Sequence, residues 1–153
     1  MSAEQRATEL GLALPPPPKS AGNYMAGVQT GNLLFLSGCG PQRADGSYVL
    51  GKLGADLDVA QGYDAARVAG LAMLARIRAL TGSLDRVGRV VKALGMVNAA
   101  PDFTQQPKVI NGFSDLMVEV FGESGRGARA AVGMATLSGG MAVEIEMVVE
   151  LKP

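Results

Sequence analysis

The sequence has no histidine, no tryptophan and a single cysteine, Cys39. Without histidine, Ser-His-Asp and Cys-His catalysis in their ordinary forms are excluded, together with most zinc sites. One cysteine makes neither an internal disulfide nor a thiol cluster, so no metal is expected. An excess of either charge is also lacking, with 14 basic residues against 14 acidic ones. With no spare positive charge to neutralise phosphates, a dedicated nucleic-acid binder is disfavoured. The same balance argues against an anionic membrane surface, and no apolar run approaches a membrane span. The opening MSAEQRATELG is charged and polar, unlike the apolar core of a signal peptide, so a cytoplasmic location is the expectation. GxGxxG, a P-loop and a nucleophile elbow are absent as well.

What is present is 153 residues, 48% of them apolar, enough for one domain with a real core. Residues 1–19 read as an arm: a short helix over about Ala3 to Leu12, capped by Ser2 with Gln5 at the capping-box position, then Pro15 to Pro18 in polyproline II. Residues 20–153 read as the domain. Tyr24 to Gln29 and Leu33 to Ser37, either side of Gly31-Asn32, form a hairpin, broken by Ser37-Gly38-Cys39-Gly40-Pro41. Gln42 to Gly54 reads as a polar, glycine-rich surface loop.

Asp56 or Asp58 caps a long helix whose stripe is Val59, Tyr63, Ala66, Gly70, Met73, Ile77 and Leu80, ended by Thr81-Gly82. A strand follows from Val87 to Asn98. Pro107 opens a second helix with Ile110, Phe113, Met117 and Val120 on one face. Strands over Arg129 to Leu137 and Ala142 to Leu151 flank the turn Ser138 to Met141. In the last strand Val143, Ile145, Met147, Val149 and Leu151 point one way and Glu144, Glu146 and Glu150 the other. The order β-β-α-β-α-β-β predicts an α+β class, two helices on one mixed sheet in two layers.

Few side chains remain for chemistry. Arg129 opens a strand otherwise built of small and apolar residues, so it either lies in solvent at an edge or faces a cleft. There its guanidinium would offer a rigid fork for a small carboxylate-bearing metabolite. Glu144 and Glu146 are either the wet face of a strand or part of a site. Tyr24 and Asn111 are equally ambiguous, and Cys39 is either a reactive thiol or a small buried residue. If the last two strands pair through Gly139-Gly140, Glu144 lies opposite about Ala135, and Arg129 stands roughly 20 Å along the ladder. A site using both would then need a subunit boundary.

The stretch Gly127-Ala-Arg129-Ala-Ala-Val-Gly-Met-Ala-Thr-Leu137 with Val143-Glu-Ile-Glu146 resembles the C-terminal signature of the Rid family. These are the YjgF-like reactive-intermediate deaminases, also labelled endoribonuclease L-PSP. Tyr24 to Asn32 with Leu36-Ser-Gly38 resembles the family's first hairpin, and Ile110-Asn111 the start of its second helix. The resemblance implies a chorismate-mutase-like fold, a homotrimer with sites between subunits, and cofactor-free hydrolysis of enamines and imines such as 2-aminoacrylate to a 2-keto acid and ammonia. It implies that Arg129 grips the substrate carboxylate and Glu144 orients water. Tyr24, Ser37, Gly38, Asn111 and Ala131 would line the pocket. The chain departs from the pattern at Ala131, where active deaminases often carry cysteine and main-chain groups would do the work. It departs again at Cys39, in place of glutamine, and at Ser138-Gly-Gly-Met141, which lacks the usual Leu-Pro. A metabolite-binding trimer without catalysis is the alternative. A ribonuclease is disfavoured by the zero net charge and the missing histidine.

Overall fold

The strict alternation of the last strand sets the architecture, because a strand with one apolar and one acidic face sits on a core and turns its back to it. The computed structural model describes residues 1–153. Its elements are α1 (Ala3–Glu9), β1 (Gly27–Thr30), β2 (Leu33–Cys39), α2 (Val59–Thr81), β3 (Val87–Asn98), α3 (Gln106–Phe121), β4 (Ala128–Met134) and β5 (Val143–Leu151). The α+β class and the expected order hold, with α1 added in front. One five-stranded sheet runs β1-β2-β5-β3-β4. Val143, Ile145, Met147, Val149 and Leu151 are all buried on the face that packs against α2, as their alternation requires. The other sheet face carries no helix, and Val28, Phe35 and Val132 stand exposed on it.

The pairing of the last strands differs from the expectation. β4 does not pair with β5. It runs parallel to β3, with Ala93 opposite Arg129, while β5 lies antiparallel on the other side of β3. A parallel pair needs a crossover connection, and α3 supplies it between β3 and β4. The Gly139-Gly140 turn therefore carries the chain past a whole strand. β4 is also shorter than expected, ending at Met134 rather than Leu137.

Asp58, not Asp56, caps α2. Its carboxylate accepts from the Gln61 N–H, and the Gln61 side chain returns to the Asp58 N–H. Such a cap contributes about 1 kcal/mol. Asp56 instead accepts from the Lys52 N–H. Of the expected α2 stripe, Ala66, Gly70, Met73 and Ile77 are buried, but Val59 and Tyr63 are only partly covered and Leu80 is exposed. The helix is instead rich in buried alanine, which lets α3 come close. A Cβ added at Gly112 of α3 would collide with the Tyr63 carbonyl oxygen.

The segment Gln42 to Gly54 is not all surface. Leu53 is fully buried, its N–H donating to the Asn98 carbonyl and its own carbonyl accepting from Ala100. α1 forms with its expected capping box but ends at Glu9 rather than Leu12. It lies on the body of the molecule, with Ala7 in the core and Glu4 paired with Arg78 at 2.5 Å. No helix is long and apolar enough to cross a membrane.

Candidate functional site

The site residues named from the sequence fall into two groups. The first is built where β4 leaves the crossover. Arg129 shares a sheet face with Ala93 and Met147, both buried, so its side chain lies on the helix-covered side at the sheet's edge. There α3 holds it. Arg129 Nη1 donates to Asn111 Oδ1 at 2.8 Å and to Ser114 Oγ at 3.1 Å, and Nη2 donates to the Pro107 carbonyl at 3.4 Å. The guanidinium is thus neither free in solvent nor ion-paired. Asn111 and Ser114 are one helical turn apart and face the same way. Ser114 was not among the residues named from the sequence. Its spacing from Asn111 was the available signal. Ala131 follows two residues after Arg129, on the same face and packed against the core.

The second group surrounds a cavity of about 300 Å³ at the other end of the sheet, lined by Tyr24, Gly38, Cys39, Arg76, Tyr48 and Glu144 among others. A one-residue bulge in β2 makes it. The β2–β5 register steps from Leu36 opposite Met147 to Cys39 opposite Ile145, leaving Ser37 and Gly38 unpaired with β5. Glu144 stands over the bulge: its Oε1 lies 2.8 Å from where a Cβ on Gly38 would be, so no side chain fits there without moving the carboxylate. Ser37 Oγ donates to the Met25 carbonyl at 2.6 Å, turned away from the cavity towards the hairpin. Tyr24 precedes β1 in an irregular bend rather than opening the strand. It is half exposed, and its hydroxyl accepts from the Ala21 N–H. Pro18 and Lys19, from the end of the proline run, complete the rim.

Cys39 is the buried small residue of the two readings. Burial pushes its thiol up to about 11, against the opposing pull of Arg76. Arg76 went unnoticed in the sequence. It is 3% exposed, and Nη1 donates to the carbonyls of Ser37 at 2.6 Å and Gly38 at 3.1 Å, clamping the bulge.

The two groups do not meet within one chain. Glu144 is level with Val132 across β3, and Arg129 is level with Met147. Three residues along and two strands across separate their Cα atoms by about 14 Å, shorter than the 20 Å of the assumed pairing. They also lie on opposite faces, Glu144 on the open one. A three-carbon acid cannot touch both. No group of three or more His, Cys, Asp or Glu side chains is placed to hold a metal ion.

Comparison with known proteins places this geometry in a family. Residues 4–143 match the family described as "YjgF/chorismate_mutase-like, putative endoribonuclease". The chain is 47% identical over 143 residues to Protein TCP17 of Trypanosoma cruzi, covering 93% of this chain and 89% of that one. Among solved structures it is similar to the protein Atu1372, of unknown function, from Agrobacterium tumefaciens. That match has 43% identity and a TM-score of 0.88, over 98% of this chain and 94% of the other. E. coli TdcF, solved with bound serine, shares the fold at 22% identity and a TM-score of 0.62, over 90% and 93% of the two chains. With its sheet order, its arginine-bearing parallel strand and a sequence match over nearly its whole length, the chain belongs to the YjgF-like family, the Rid family whose hairpin and strand motifs it carries.

Proposed function

We propose that the protein hydrolyses reactive enamines and imines of small 2-amino acids, such as 2-aminoacrylate, to 2-keto acids and ammonia, in sites shared between subunits of a homotrimer. One observation carries the reading: Arg129 is held in a fork by α3 with no carboxylate partner, while Glu144 waits on the far face beside a glycine bulge. Each half lacks what the other supplies. The open sheet face, with Val28, Phe35 and Val132 exposed, supports assembly of copies through that face. TdcF supports a small carboxylate as ligand, since that protein holds serine on the same fold.

The chemistry asks little of the residues. The enamine gains a proton at its methylene carbon and becomes the imine. Water adds to the C=N carbon, and the carbinolamine expels ammonia as the keto acid forms. No strong nucleophile is needed, because the imine carbon is already electrophilic. Arg129 fixes the carboxylate in bidentate fashion. Glu144 accepts a proton from the attacking water and aims its lone pair. Holding acid and water together supplies several kcal/mol of the barrier, roughly the lower part of the range for orientation effects. The endoribonuclease wording of the family finds little support in a chain without histidine and without net positive charge.

The test is ammonia release from 2-aminoacrylate, generated in place from serine by a dehydratase, with wild type, Arg129→Ala and Glu144→Gln. Wild type is expected to accelerate it and both variants to fail. Subunits of the two dead variants, unfolded and reassembled together in equal amounts, should regain about a quarter of wild-type activity, because a fraction of sites then pairs an intact Arg129 with an intact Glu144. Failure of the wild type over several imine side chains would sink the deaminase reading and leave a metabolite-binding trimer, the reading that Ala131 in place of cysteine leaves open. Activity without rescue on mixing would place both residues in one subunit's site.

A further inference from the structure

Arg76 is a buried cation that the proposed reaction does not use. Its two hydrogen bonds go to neutral carbonyls, its Nε is buried without any partner, and the ion pairs of the chain join other arginines. Holding a bulge needs donors, and a neutral side chain would supply them. A guanidinium instead keeps a full charge at any accessible pH, and burying that charge without a counter-ion is costly. The cation also lines the cavity, together with Tyr24, Lys19 and Glu144. Two positive charges therefore share its lining with one negative charge. Glu144 alone would repel an acid entering from the other half-site; Arg76 and Lys19 reverse the sign.

We infer that the cavity takes a second acidic group of the substrate, so that the preferred substrate is the imine of an amino diacid, with Arg76 as the specificity-determining residue. The inference rests on the reading that Arg129 of a neighbouring subunit holds the first carboxylate. The distal carboxylate would then approach Arg76 and Lys19, while the C=N carbon lies between them, next to Glu144. At about 300 Å³ the cavity is at the lower end of small-molecule sites, enough for a short acidic side chain.

The test is calorimetric binding of 2-keto acids, the products, which requires no turnover. The five-carbon diacid 2-oxoglutarate and the six-carbon 2-oxoadipate are compared with 2-oxovalerate, which lacks the distal carboxylate. Wild type is expected to bind one of the diacids about tenfold or more tightly than 2-oxovalerate, the size of one charge-assisted contact. Arg76→Met should bring that ratio to about one, and Arg129→Ala should weaken all three. Lys19→Met alters only an exposed side chain and should lower the ratio in part. It keeps the test decisive if Arg76→Met does not fold. A wild type that binds neither diacid or shows no preference for one overturns the inference, as does a preference that survives Arg76→Met, or one untouched by Lys19→Met if Arg76→Met does not fold. Diacid preference without turnover of any imine would sink the deaminase reading alone; turnover without preference would sink this one alone.

Discussion

Replacing Gly38 by alanine tests the placement of Glu144 with the least disturbance to the fold. Gly38 does not have a positive φ, so its backbone accepts alanine. The three atoms nearest the added Cβ all belong to Glu144: Oε1 at 2.8 Å, Cδ at 3.0 Å and Cγ at 3.1 Å. Relaxing these contacts to ordinary packing distance moves the carboxylate by roughly 0.5–1 Å. Glu144 is only partly buried and rotates at about 0.5–1.5 kcal/mol. Against that cost, alanine restricts the unfolded chain and returns about 0.4–1 kcal/mol. Net stability should therefore change by less than about 1 kcal/mol. Catalysis is less forgiving, since a shift of about 1 Å in a positioned group can cost on the order of 100-fold. The expected result is a fall in kcat/KM for 2-aminoacrylate hydrolysis of about 10- to 100-fold, with the urea midpoint moved by less than about 0.5 M. Unchanged turnover would refute the claim that Glu144 must stand over Gly38. A collapse of stability would show that the bulge, and not the carboxylate, is what the glycine protects.

Three other outcomes follow from the packing and the charges. Gly112→Ala would drive a Cβ against the Tyr63 carbonyl, which cannot swing aside as a side chain can. Overpacking of about 3 kcal/mol, less about 1 kcal/mol from helix propensity, predicts a loss near 2 kcal/mol in urea unfolding; wild-type stability would mean the α2–α3 crossing is slack. Cys39, buried with its thiol pushed up to about 11, should resist iodoacetamide at pH 8 in the folded protein and react quickly in urea; equal rates would contradict its burial. The Arg78 side chain holds the Glu4 carboxyl below its ordinary value of 4.5, helped by the Leu84 N–H and opposed by partial burial. A lowered carboxylate stabilises above its unfolded pKa and stops doing so as pH falls through the folded one. The docking of α1 should therefore be intact at neutrality and weaken progressively below pH 4.5, seen as movement of α1 amide resonances that Arg78→Gln abolishes.

Local features were legible where the sequence alternated cleanly. β5 declared its buried face through Val143, Ile145, Met147, Val149 and Leu151, and Gly82 ended α2 because only its left-handed φ of 83° closes the helix that way. Pairing was less legible. Gly139-Gly140 looks like a hairpin turn, and adjacency in sequence favours adjacency in the sheet, but β3-α3-β4 is a strand-helix-strand unit whose crossover puts β4 beside β3. That pattern was present in the sequence and outweighs the glycine pair. Arg76 was hidden for a different reason. It follows Met73 by one turn and so falls on the inward side of α2, but a lone arginine beside Arg78 reads as surface. What draws it inward is the β2 bulge, whose freed carbonyls exist only once the sheet has formed.

The same sheet explains why the family's residues are spread so widely along the chain. Arg129 is placed by α3 on the covered side, and Glu144 is placed by the β5 alternation on the open side. A side chain that alternates to the open face cannot return to the covered one without a one-residue slip, which would expose the whole core set of β5. The separation is thus enforced by the hydrophobic pattern itself, and not by any feature of the site. On the proposed function, chemistry that joins the two residues must borrow one of them from another copy. The exposed apolar residues of the open face would supply the driving force for that meeting, so that folding of the chain and assembly of its site would draw on opposite faces of one sheet.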